Sequence, residues 1–178
     1  MTWIDTVNHF WFEELEPKDW FSARREIDEK IRESFADLHA ALEREPPDAA
    51  QLSAEGHVAA VIVFDQFSRN LFRGSVETYA TDGLALALAM HAVERGLDAS
   101  LSSLQRQFLY MPFMHSEDRA MQARSVALFR ANGDSDQLGY AEHHKGVVDR
   151  FGRFPHRNQI LGRTSTEAER TFLKADTR

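Results

Sequence analysis

Residues 58–63 read Val-Ala-Ala-Val-Ile-Val and offer no polar side chain in any direction. A helix built from them has no face for water and belongs in the middle of a fold. The run then turns charged. Asp65, Arg69 and Arg73 recur every four residues, with Gln66 and Asn70 one place further on. Residues four apart share a helix face, so a core helix is expected to carry a polar stripe from Asp65 to Arg73. Buried charges are costly unless each is paired. The stripe therefore demands counter-charges or an opening to solvent.

The flanking segments also read as helices. Thr2 to Glu14 places Ile4, Val7, Phe10 and Trp11 at helical spacing, and the cluster Phe10-Trp11-Phe12 is expected to dock on the core. From Ala23 to Arg44, Ile27, Ile31, Phe35, Leu38 and Leu42 form one apolar stripe, closed by Pro46-Pro47. Ser53 is the expected N-cap of the central helix. Further helices are predicted from Glu77 or Asp82 to Arg95, from Leu104 to Met114 and from Glu117 to Ala131. Two more run from Asp134 or Ser135 to Phe151 and after the capping box Thr166-x-x-Glu169. Ser102 with Gln105 is a second capping box, and Gly96, Gly133 and Gly152 suit helix C-termini. Pro112 is expected to kink or end its helix, and Ser116 to cap the next. No strand pattern appears. The prediction is one all-α domain over residues 1–178, about seven antiparallel helices joined by short breaks.

Composition removes several functions. The chain has no cysteine, which excludes disulfides, thiol nucleophiles and Cys–zinc sites. Its net charge is -7 with no basic block, which disfavours nucleic acid. No apolar run reaches the ~18–20 residues of a membrane span, and the N-terminus lacks a signal-peptide pattern, so a cytoplasmic protein is expected. H-E-x-x-H is absent and Glu-x-x-His is not repeated on paired helices, so neither a metal nor a cofactor is expected. Nothing marks Ser68 or Ser116 as an activated nucleophile, and no glycine-rich phosphate loop exists.

Three stretches set polar groups beside apolar ones: residues 65–73, residues 110–118 with His115 and Asp118, and residues 143–158 with Arg150, Arg153, His156, Arg157 and Asn158. The bland reading makes them internal staples, with Asp65 paired to Arg69, Arg73 capping helix carbonyls and arginines bonded to carboxylates. The functional reading brings them around one hollow.

Long segments also resemble a known family. Residues 65–74 (Asp-Gln-Phe-Ser-Arg-Asn-Leu-Phe-Arg-Gly), 110–118 (Tyr-Met-Pro-Phe-Met-His-Ser-Glu-Asp) and 150–158 (Arg-Phe-Gly-Arg-Phe-Pro-His-Arg-Asn) are similar to signature segments of bacterial domain-of-unknown-function family 924. Residues 8–12 and 79–82 resemble it too. The chain departs from the family at Ser68, where Pro is frequent, and at Met114, where Glu is frequent. The resemblance implies an all-α, tetratricopeptide-like helical array and no particular activity.

Three functions follow as expectations. The first is a binding module for an anionic small molecule or a carboxylate-bearing peptide. Arg69, Arg73, Arg153 and Arg157 would contact the anion, Asp65 and Asn70 would orient them, Asn158 would belong to the same lining, and His115 and His156 would stand at the rim. The second is a small cofactor-independent enzyme. His115 or His156 would be the acid–base group, Asp118 would orient it, and the arginines would stabilise an oxyanion. The third is a purely structural or oligomeric role, and a homo-oligomer stays open under all three.

Overall fold

The computed structural model describes residues 2–21 and 24–175. The predicted start of the second long helix at Ala23 lies outside the described residues. The fold is all-α. Its helices are α1 (Trp3–His9), α2 (Pro17–Trp20), α3 (Arg25–Arg44), α4 (Ala54–Val61), α5 (Ser68–Leu71), α6 (Asp82–Glu94), α7 (Ser103–His115), α8 (Arg119–Asn132), α9 (Ser135–Phe151) and α10 (Glu167–Ala175). Short 3₁₀ turns join several of them, and π-helical segments occupy Phe10–Glu14 and Ile62–Phe67. The excess over about seven helices comes mostly from short pieces: α2 has four residues, and α5 is the end of the central helix beyond its π segment.

The apolar run lies where its composition requires. Val58 to Phe64 are all fully buried. α4 packs against α1, α6 and α7, while the π segment and α5 pack against α3. The aromatics of the π segment Phe10–Glu14 dock on this centre, with the Trp11 ring 5.7 Å from Phe67 and 5.4 Å from Phe108. α8 then packs between α7 and α9. A small second cluster holds Val147, Val148 and Phe154, with Phe172 of α10 packed on it.

Local signals place most of the ends. Ser53 accepts from the Gly56 N–H at 3.1 Å. Ser102 with Gln105, and Thr166 with Glu169, close their capping boxes. Gly96, Gly133 and Gly152 adopt the left-handed backbone that ends a helix cheaply only with glycine.

Several details differ from expectation. Pro112 does not end α7, which continues to His115. Its neighbours Phe108, Leu109, Phe113 and Met114 are all buried, and that packing outweighs the ~3 kcal/mol of an interior proline. Asp118, not Ser116, caps α8 by accepting from the N–H groups of Ala120 and Met121 at 2.7 and 3.0 Å. The central helix ends at Leu71, so Arg73 stands in the following turn rather than on a continuous stripe.

Candidate functional site

The π segment Ile62–Phe67 builds the floor of the site. A π turn takes up an extra residue, and such turns are frequent at functional sites. This one holds Asp65 fully buried beneath the end of α7. Asp65 Oδ1 lies 2.7 Å from Nδ1 of His115, the last residue of α7, and 3.2 Å from Nη1 of Arg69 on α5. Gln66 Nε2 donates to the other carboxylate oxygen. Burial opposes the charge on Asp65. The positive charge of Arg69 and the contacts to His115 and Gln66 outweigh it and hold the carboxyl well below the usual carboxylate range. An ionised carboxylate only accepts, so Nδ1 of His115 carries the hydrogen and Nε2 is the ring atom left for a ligand.

Arg69 ties this pair to a second carboxylate. Its Nη1 donates to the Asp65 backbone oxygen at 2.6 Å, and its two terminal nitrogens reach Asp82 at 3.0 and 3.4 Å. Asp82 opens α6 and also accepts from Nη1 of Arg157 at 3.3 Å. Arg157 comes from the 3₁₀ turn Pro155–Arg157. Its guanidinium lies 4.5 Å from the Tyr79 ring centre and 4.7 Å from that of Phe154. Nη2 donates to the His115 carbonyl at 2.9 Å, while Nε is buried with no hydrogen-bond partner among the described residues. Burial pulls the Arg157 pKa below its ordinary value, although Asp82 acts the other way. The three polar stretches therefore meet at one place.

His115 borders three adjoining hollows. One, of about 350 Å³, is lined by Arg69, Arg73, Tyr79, His144, His156 and Arg157 among others. The second, of about 220 Å³, lies over Trp20, Gln66, Asn70 and Met111 and reaches the same Arg69 and Arg73. The third, of about 270 Å³, is mainly apolar, with Phe21, Met111, Met114 and Tyr140 in its wall and His144 at its edge. His144 donates Nδ1–H to the Tyr140 carbonyl at 2.8 Å. Burial first, then the nearby His115, push its pKa down to about 4.

With this geometry in place, likeness to known proteins adds one result. A model of the family described as "Bacterial protein of unknown function (DUF924)" matches residues 7–177. The chain belongs to this family. A solved structure from Agrobacterium tumefaciens, titled as the protein of unknown function ATU0120, is 40% identical. The match covers 97% of each chain with a TM-score of 0.91. No curated protein matches the chain.

In this DUF924 chain the structure gathers Asp65, Arg69, Asn70, Arg73, His115, His156 and Arg157 around the cleft. Arg73 bonds Asp28 of α3 through Nε and Nη2 at 2.9 and 2.8 Å instead of capping helix carbonyls, and Asn70 bonds the same carboxylate at 2.8 Å. Three expected residues stand elsewhere. Asp118 is committed to the α8 cap, and Asp65 takes the place beside His115. Arg153 forms a bidentate pair with the buried Glu169 at 2.7 and 2.9 Å, anchoring α10. Asn158 is buried and bonds Ser165 and Arg163, bracing its loop. A separate Ser68–His39 contact of 2.8 Å also involves Thr81, but all three side chains are sealed in the core, so a nucleophile there has no approach.

Asp82, Tyr79 and His144 complete the site; they fall within segments the sequence marks, residues 79–82 and 143–158, but none of the three is expected in the site itself. Asp82 looks like any acidic residue in a helix first turn. His144 did leave a signal: it stands three residues after Ala141 and four before Val148, both fully buried, on the inward face of α9.

Proposed function

We propose that the cleft is a binding site for a small anionic molecule. One observation carries the reading: Arg69, Arg73 and Arg157 border a single hollow together with three imidazoles, His115, His144 and His156. Asp82 and Asp65 fix Arg69, and Asp82 with two aromatic rings fixes Arg157. An incoming anion meets oriented N–H groups and little side-chain entropy is lost on binding. Arg73 keeps Nη1 without a protein partner among the described residues. The hollows suit a small molecule better than a folded partner, and the carboxylate-bearing peptide is the less favoured ligand.

The Asp65–His115 pair favours a second reading, an acid–base enzyme acting on the bound anion. Asp65 fixes the imidazole with hydrogen on Nδ1, as an orienting carboxylate does for a general base. Nε2 would then take a proton from the substrate, and the neighbouring guanidinium groups would stabilise the developing negative charge.

A thermal-shift screen of phosphate, citrate and short monocarboxylates tests the first reading on the wild type and Arg73→Ala. Arg73 is 46% exposed, so its loss is expected to move the unliganded melting temperature by no more than about 4 °C. The wild type should gain stability with at least one anion, and Arg73→Ala should lose most of that gain. The reading fails if no anion stabilises the protein, or if the gain survives in both Arg73→Ala and Arg69→Lys. The acid–base reading requires turnover that disappears in His115→Gln with the fold intact; turnover that persists removes it.

A further inference from the structure

Resting on the anion-binding reading, we infer that the ligand is an amphipathic anion, a carboxylate or phosphate joined to an apolar chain or ring. The cleft has two chemically different ends, and His115 borders both. On one side stand Arg69, Arg73 and Arg157. On the other, Phe21, Met111, Met114 and Tyr140 surround the apolar hollow of about 270 Å³. Met111 also borders the hollow over Gln66 that reaches Arg69 and Arg73, so the apolar and basic parts form one continuous surface. A small inorganic anion fills only the basic end. Phe21 and Tyr140 are 58% and 48% exposed, an unfavourable arrangement for two large rings unless an apolar group covers them. Thioether side chains adapt to ligands of varied shape, and two of them line this end. A ligand spanning both ends would place the atoms next to its charged group beside His115. The same cavity thus sets a substrate class for either reading of the site.

The test is a binding series on the full chain by calorimetry, with probes kept below micelle-forming concentrations. The probes are acetate, butanoate, hexanoate, octanoate, octyl phosphate and octan-1-ol. Affinity is expected to rise about fourfold per methylene from butanoate to octanoate, as for burial of a CH₂ group. Octyl phosphate tighter than octanoate assigns the head group as phosphate, and the reverse order assigns carboxylate; either supports the inference. Tyr140→Ala, at an exposed position that borders the apolar hollow and neither of the hollows holding Arg69 and Arg73, should flatten the chain-length dependence and leave acetate binding unchanged. Arg73→Ala should weaken every anion by a similar factor. If acetate binds as tightly as octanoate and both depend on Arg73, the amphipathic inference fails while the anion site stands. If octan-1-ol binds as tightly as octanoate and Arg73→Ala changes neither, the anion reading itself fails. Absence of binding by all probes overturns both.

Discussion

Replacing Asp65 with Asn keeps the shape of the side chain and removes its charge. The consequences follow from what surrounds it. Nδ1 of His115 at 2.7 Å, Nη1 of Arg69 at 3.2 Å and Nε2 of Gln66 all present hydrogen to this carboxylate. Asn offers one accepting oxygen and one donating NH₂, so at least one donor meets a donor in a fully buried place. A buried donor without an acceptor costs ~1–3 kcal/mol. Breaking a buried ion pair costs ~3–5 kcal/mol, but Arg69 keeps Asp82 and is 23% exposed, so the lower end applies. The expected loss is about 3 kcal/mol at pH 7. For a chain of this size that lowers the melting temperature by roughly 6–12 °C. Urea denaturation followed by circular dichroism measures it. The pH dependence adds a second check. The folded pKa of Asp65 lies below its unfolded value, so its stabilisation is fully present above the ordinary carboxylate range and is lost as pH falls through that range toward the folded value. The gap between wild type and Asp65→Asn should therefore narrow between about pH 4 and pH 3. A gap below about 1 kcal/mol at pH 7, or one that is the same at pH 7 and pH 3, would refute the assignment of a charged, paired Asp65.

Other outcomes follow from the same physics. His144 has a folded pKa of about 4, below the unfolded ~6.5, so its contribution is complete above about pH 6.5 and is lost as pH falls toward 4. At 1.36 kcal/mol per pH unit the ceiling is about 3 kcal/mol, and His144→Gln should flatten the stability curve in that window in urea melts. His39 and His57, also lowered mainly by burial, add a dependence of the same sign, which the substitution leaves in place. Ser68→Ala removes a buried hydroxyl bonded to His39 and Thr81 and should cost ~1–3 kcal/mol without changing anion binding. Loss of binding in a well-folded Ser68→Ala would mean that the sealed network reports to the cleft. Glu169, held at about pKa 2 chiefly by the Arg153 bonds, anchors α10 above the ordinary carboxylate range and releases it as pH falls toward 2. Glu169→Gln should raise hydrogen exchange in residues 167–175 at neutral pH while leaving α4 protected; unchanged exchange there would exclude the anchoring role.

What could be read in the sequence was local. A helix cap needs only residues within one turn, so Ser53, Ser102 with Gln105, and Thr166 with Glu169 announced themselves. The apolar run from Val58 likewise stated its own burial, because composition on every face leaves no alternative. The site was legible as a set of suspicious residues and illegible as a set of pairs. Arg157 reaches Asp82 across 75 positions, and His115 reaches Asp65 across 50. No spacing rule covers such distances. The π segment hid more, since an extra residue in the turn shifts the register on which the stripe from Asp65 to Arg73 was counted.

The exchange of Asp118 for Asp65 beside His115 shows why proximity in sequence misled. A carboxylate just before a helix has a stronger local claim on it than any neighbouring imidazole: the unpaired N–H groups of the first turn lie within 3.0 Å of Asp118 Oδ1 and point at it. Asp65 has no such claimant, because its backbone neighbours are already inside a helix. Its charge can be satisfied only by side chains brought from elsewhere, and Arg69, Gln66 and His115 are those side chains. A buried acidic residue in mid-helix therefore points to a tertiary partner and so to a site. An acidic residue at a helix start has its partner already, in the backbone that follows it.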